Sequence, residues 1–165
     1  MNLWVLLIET IIITIIFNLF IFIPLCKNPV CLIHDYPKDI QEEYFKTHEK
    51  IATEPVIRTY IVKKGIFLFL SIIVLVELMS LAQAKTFFEG FLGSFFIWFI
   101  LNVWDCFFMD FVLFANIKTV RLPGTEHMDK EYHQKKYHFV HGLIGILVGI
   151  LPCLLVGIII LLINL

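Results

Sequence analysis

Four long runs of mostly apolar residues dominate the chain and leave it few ways to fold. They cover residues 3–25, 65–84, about 91–117 and about 139–163. A helix that crosses the hydrocarbon layer of a bilayer needs about 20 such residues. In lipid, only helices and closed barrels satisfy every backbone N–H and C=O. The runs are continuous rather than alternating, which excludes a barrel. The expected fold class is all-α: a four-helix transmembrane bundle with a cytoplasmic amphipathic helix, forming a single integral membrane domain over 1–165.

Composition agrees. A chain of 165 residues is long enough for one soluble domain. However, 59% of it is apolar, against about 45–50% in globular proteins, and 16% is charged, against about 25%. Mean hydropathy is +0.88. The 17 Phe residues and the Ile/Leu/Val runs exceed what one small core can hide from water. The first span lacks a basic n-region and is too long for a signal peptide, so it is expected to persist in the mature protein.

Lys and Arg set the expected orientation. Twelve of the thirteen lie in the segments 26–64 and 118–138, and the thirteenth, Lys85, lies in the short link between spans two and three. Both long segments are therefore expected to be cytoplasmic, with both termini and the short link outside. The expected location is the cytoplasmic (inner) membrane. The bilayer is the expected partner, together with a homo-oligomer or a larger membrane complex. The net charge is −1. The basic residues interleave with acids and no aromatic stacking platform accompanies them, so nucleic acid is not an expected partner. Cys106 and Cys153 fall within spans, while Cys26 and Cys31 fall on the reducing side, so free thiols are expected.

In the first segment, Ile40, Tyr44, His48 and Ile51 recur at helical spacing after Pro37. This predicts an amphipathic helix lying along the membrane surface. Pro55 is expected to open a second helix that runs into span two. In the second segment, Pro123-Gly124 marks a turn and Thr125 is a good N-cap. One helix is expected from Glu126 into span four, with His127, Glu131, Gln134, His138 and His141 on a shared face and His133 and Tyr137 beside it. His138 and His141, at i and i+3, would then share one metal ion or one anionic headgroup.

The spans hold acids but neither Lys nor Arg: Glu9 in the first, Glu77 in the second, Asp105 and Asp110 in the third, with Asn18, Asn102 and Asn116 as polar companions. An ionised carboxylate at the bilayer centre is unfavourable by about 2.5–3.5 kcal/mol on insertion scales. Such groups are expected to face the bundle interior or a wet cavity. By depth, Glu9 and Glu77 are outer-half acids able to meet and share a proton. Asp105, Asp110, Glu126, His133, His138 and His141 converge toward the cytoplasmic side. At about 100° per residue Asn102, Asp105 and Asn116 cluster, while Asp110 points about 140° away from Asp105. One Asp combined with span-four histidines is therefore the expected site, with Asp105, His138 and His141 as candidate ligands of a divalent metal.

Gly142, Gly145, Gly149 and Gly157 punctuate span four, and Gly145-x-x-x-Gly149 is the spacing that lets helix backbones approach closely. That face is expected to pack on another span or on a second copy, with Pro152 kinking the helix. Trp4 suits the outer aromatic belt, and Trp98 and Trp104 are expected to pack inside. No P-loop, dinucleotide fingerprint, nucleophile elbow or His-Glu-x-x-His motif is present, and no internal repeat supports an inverted-repeat transporter.

Asn102-Val-Trp-Asp105, Asp110, the Leu122-Pro123-Gly124-Thr125-Glu126 stretch, Tyr132 or Tyr137 with His138, and the earlier His34-Asp35-Tyr36-Pro37 together resemble an uncharacterised family of small bacterial multi-pass membrane proteins. The resemblance covers the C-terminal half. It implies a bacterial cytoplasmic membrane and no known activity. The leading functional expectation is a cytoplasm-facing polar site that binds a cation, a metal or a lipid headgroup, with Asp105, Asp110, Asn102, Glu126, His133, His138 and His141 as its residues. The alternatives are a membrane enzyme acting on a lipid or lipid-linked substrate, and a non-catalytic accessory subunit or oligomeric scaffold.

Overall fold

The computed structural model describes residues 1–48 and 54–165. The described residues form helices and turns, with no strand among them. Helix α1 (Leu3–Lys27) starts at Asn2, whose side-chain oxygen accepts from the backbone N–H of Trp4 and Val5. A 3-10 segment, Pro29–Asp35, leads to α2 (Lys38–Thr47). Helix α3 spans Glu54–Leu81. Helix α4 (Phe87–Trp104) opens on a capping box in which Thr86 and Glu89 bond each other's backbone N–H. It continues without a break into a π-helical stretch, Asp105–Phe114. The short α5 (Asp129–Tyr132) precedes α6 (Lys135–Ile163). Four stretches are long and apolar enough to cross a membrane: Leu3–Lys27, Ile61–Leu81, Phe87–Phe114 and Asp129–Ile163. The bundle's outer surface carries large apolar side chains such as Ile11, Phe20, Phe69 and Leu147.

The bundle interior is built around the contact of α4 with α6. Hydrocarbon gives helices no hydrophobic reason to associate, so close packing of small residues and interhelical hydrogen bonds take over. The glycine face of α6 meets α4 of the same chain. A Cβ on Gly149 would overlap the Trp98 indole, one on Gly145 would overlap the Asn102 amide, and one on Gly142 would press on Cys106. Trp98 Nε1 also donates to the Gly145 carbonyl oxygen at 2.9 Å. The same seam continues toward the end of α6, where Gly157 faces Phe87 and Gly90 faces Ile160. Leu6, Leu75, Met79, Ile97, Val156 and Ile160 fill the space around it. Pro152 is buried within α6, which runs on through it.

A second core caps one end of the bundle, where the two long connections meet. Leu25, Ile33, Tyr36, Ile40, Phe114 and Tyr132 are among its members. Tyr36 Oη donates to the Val120 carbonyl oxygen at 2.6 Å. Tyr132 Oη accepts from the Leu122 N–H at 2.9 Å and pairs with Thr125 Oγ1 at 2.8 Å. Arg121 is buried over the Tyr132 ring, its guanidinium bonding the Glu126 carbonyl oxygen and the Asp129 carboxylate.

This cap corrects three expectations. The apolar stripe of α2, Ile40 and Tyr44, is covered by the protein's own second connection and is not left free to lie on a membrane. Helix α2 ends at Thr47, with His48 stacked on the Tyr44 ring, and Ile51 lies outside the described residues. The helix expected from Glu126 into the fourth span is broken at His133 and Gln134. Thr125 does not cap it; its hydroxyl donates to the Leu122 carbonyl oxygen. The break has a packing cause. In one straight helix Tyr132 and His138 would point about 120° apart, whereas here both rings rest on Phe114, at 5.4 and 5.2 Å. Trp104 is also corrected: it lies on the outer surface, against Phe108, and not inside.

Candidate functional site

The π-helical stretch sets how Asp105 and Asp110 are spaced around the third span. Its hydrogen bonds run i→i+5, as when the Ala115 N–H bonds the Asp110 carbonyl oxygen. That ladder stacks residues five apart on neighbouring turns. The 140° separation between Asp105 and Asp110 expected for an α-helix therefore does not apply to this stretch. Asp35, in the 3-10 segment, meets Lys64 Nζ at 3.2 Å.

Asp110 finds its partner on α6. Its Oδ2 lies 3.2 Å from Nδ1 of His138, with the His138 side chain 5% exposed and that of Asp110 25%. His138 is in the first turn of α6, so the carboxylate also lies against the positive end of that helix. A carboxylate on Nδ1 selects the tautomer or imidazolium that donates there. Nε2 is then the second polar atom of the ring; it is buried and has no hydrogen-bond partner. Leaving such an atom unsatisfied is unfavourable by about 1–3 kcal/mol.

A small recess opens beside the pair, lined by Asp110, Phe111, Tyr132, His133, Lys135 and His138. Its volume of about 10 Å³ is at the lower limit for one water molecule. Tyr137 braces this end of α6, its hydroxyl donating to the Tyr36 carbonyl oxygen at 3.0 Å.

Of the predicted residues, Asp110, His133 and His138 therefore share one recess, and Asp105 lies one π turn away. The others lie elsewhere. His141 is exposed, its ring 4.0 Å from that of Tyr137 and its Nδ1 on the Tyr137 carbonyl oxygen. Glu126 is exposed and accepts from the Gly124 N–H at 3.1 Å. Its own backbone N–H, and then that of Gly124, hold its carboxyl below the usual range. Asn102 belongs to the α4–α6 seam, and Asn116 is exposed with its amide on the Val112 carbonyl oxygen. The candidate metal set Asp105, His138 and His141 is not assembled. Among the described residues, no three His, Cys, Asp or Glu side chains are placed to hold a metal ion.

The outer-half acids also separate. Glu9 is buried on α1 with Oε2 unpartnered, while Glu77 is exposed on α3 and the two do not meet. Glu77 is one turn from the end of α3 at Leu81, which puts it within about 6 Å of the helix terminus. A carboxylate at that depth reaches the interface without entering the interior. Sequence reasoning missed Phe111 and Lys135 as recess residues, because it read the connection as unbroken helix. It also missed Tyr36 and Arg121 as anchors of the cap.

No family model matches the chain, and no curated protein or solved structure matches it significantly.

Proposed function

We propose that this is a polytopic protein of a bacterial cytoplasmic membrane, with its termini outside and its cap in the cytoplasm. In this reading the surface around the mouth of the recess beside Asp110 and His138, which itself has room for about one water, takes the headgroup of a lipid. The asymmetry of Lys and Arg supports the orientation. The observation that carries the functional reading is the buried, unpartnered Nε2 of His138, held by Asp110 at the edge of a recess that Lys135 and His133 also line. Removing the acid–imidazole pair should remove the lipid. Native mass spectrometry of the full chain released from detergent should show bound lipid in the wild type. It should show at least a tenfold loss in His138→Phe with the helical spectrum intact. Equal retention in both would rule the reading out.

A second reading has support in the same geometry. An imidazole oriented through Nδ1 and free at Nε2 suits general acid–base work, worth about 10²–10⁴-fold in rate, which makes an enzyme acting on a lipid or lipid-linked substrate the alternative. Asp110→Asn separates the two, because an enzyme would lose turnover while still retaining lipid. An accessory or scaffold role gains nothing from the glycines, since α4 of the same chain already fills the seam.

A further inference from the structure

We infer that Glu9 is a proton-binding site in the half of the bundle away from the cap, filled while α1 is docked and emptied only when α1 parts from its neighbours.

The carboxyl sits where a charge has no compensation. Glu9 is 9% exposed, and its Oε2 is buried with no hydrogen-bond partner. The hydroxyl donors near it on α1 are already committed. Thr10 Oγ1 donates to the Leu6 carbonyl oxygen and Thr14 Oγ1 to the Thr10 carbonyl oxygen, each at 2.7 Å. Two contacts set the register of α1 against the antiparallel α3. The Asn2 N–H donates to the Ala82 carbonyl oxygen, and the Phe17 and Phe67 rings lie 6.5 Å apart. Counted from either contact, Glu9 is level with Leu75, a buried member of the apolar core.

The surrounding elements supply no counter-charge. On α3, Glu77 is exposed and lies about 160° around the helix from Leu75. On the third span, Glu89 is engaged by the Met1 amino group and by the Lys85 and Thr86 N–H, and Asp105 is a further acid. On α6, Cys153 is buried in the same apolar core. Lys85 is exposed in the link, and Lys27, His34, Asp35, Lys64 and Lys118 lie toward the capped end. No Lys or Arg lies in any of the four apolar runs. A buried carboxylate with neither cation nor donor is neutralised by taking up a proton. A proton needs no room at the closed Oε2, whereas a water molecule or a metal ion does.

Helix α1 is the span suited to respond. Its buried residues are Leu6, Glu9, Thr10, Thr14 and Leu25, mostly polar, while Ile8, Ile11, Ile12 and Ile15 are exposed. Glu9 lies about 9 Å below the start of the helix, close enough for a displacement of α1 to bring the carboxyl to the aqueous boundary. There it gives its proton to a water molecule and is left as a carboxylate, which the apolar seam does not accept. The neutral form favours the docked state, so this contribution is present at low pH and is lost as pH rises.

Infrared spectroscopy of the full chain in phosphatidylcholine vesicles tests the site. With glutamate ¹³C-labelled at its side-chain carboxyl, the isotope-shifted C=O stretch of a neutral acid is expected at pH 7. It should persist in Glu77→Gln and be missing from Glu9→Gln. No such band, or one that Glu9→Gln retains, overturns the assignment. A second measurement reads docking. Between pH 6 and pH 9 the unfolding temperature of the wild type should fall relative to that of Glu9→Gln, which keeps a neutral side chain, by about 3 °C or more. Parallel profiles overturn the link between the proton and α1. Should Glu9→Gln fail to fold, Glu9→Leu takes its place in both measurements.

Discussion

The imidazole Nδ1 of His138 lies 3.2 Å from Oδ2 of Asp110, so an acid carried by the third span is answered by a side chain of the fourth. Breaking a fully buried pair typically destabilises by about 3–5 kcal/mol. A quarter of the Asp110 side chain stays exposed, so Asp110→Ala is expected to be destabilising by about 2–3 kcal/mol. Thermal unfolding in detergent checks this. A double-mutant cycle with His138→Phe should give coupling well above the 0.3–0.5 kcal/mol scatter of independent sites. Strictly additive losses would mean that the contact carries no energy.

The glycine seam makes an opposite pair of predictions. Gly149→Ala forces a Cβ into the Trp98 indole, and overpacking of this kind is destabilising by about 1–3 kcal/mol. Gly65→Ala meets nothing within 4 Å inside α3, so helix propensity should dominate and stabilise by about 0.5–1 kcal/mol. Equal shifts in unfolding temperature for the two variants would show that the seam is not tightly packed.

The spans and the seam were legible in the sequence because each depends on local pattern. Run length determines the spans, and the three- and four-residue spacing of Gly142, Gly145 and Gly149 determines the seam. The site was legible only in part. Asp110 and His138 were both identifiable, one as an acid without a cation in its span and the other at the mouth of the next span. Asp110 is carried on the π stretch, and nothing in Asp105–Phe114 distinguishes an i→i+5 ladder from an α-helix by composition. The break at His133 was hidden for a related reason. It satisfies Tyr132 and His138 against Phe114, a partner distant in sequence.

Tyr36 links the cap to pH. Burial, then the neighbouring Tyr132, raise its hydroxyl above the usual value of 10. A raised folded-state value favours the neutral form, so the contribution is present below pH 10 and is lost as pH rises beyond it. The cap should loosen under alkali. Tyr36→Phe should be less stable by about 1 kcal/mol at neutral pH, through loss of the bond to the Val120 carbonyl oxygen, and should lose less further stability above pH 10. Circular dichroism melts of the two proteins at pH 7.5 and pH 10.5 make the comparison. Parallel losses in both would contradict the assignment.

Arg121 reaches a carbonyl and a carboxylate with separate nitrogens while lying over the Tyr132 ring, 5.0 Å from its centroid. Lys cannot reproduce that fork. Arg121→Lys should therefore destabilise the cap by about 1–3 kcal/mol while leaving the α4–α6 seam intact. Hydrogen exchange at the Leu122 and Thr125 amides should rise by one to two orders of magnitude, with protection along α6 unchanged. Unaltered exchange at Leu122 would count against Arg121 as an anchor.

The most direct test of the account is the ¹⁵N spectrum of the His138 ring in the full-length protein in micelles, recorded with and without added phosphatidylglycerol. The account predicts Nδ1 protonated and sensitive to Asp110→Asn, with Nε2 shifting as lipid is added. An Nε2 signal unchanged at saturating lipid, or an Nδ1 signal indifferent to Asp110→Asn, would contradict it.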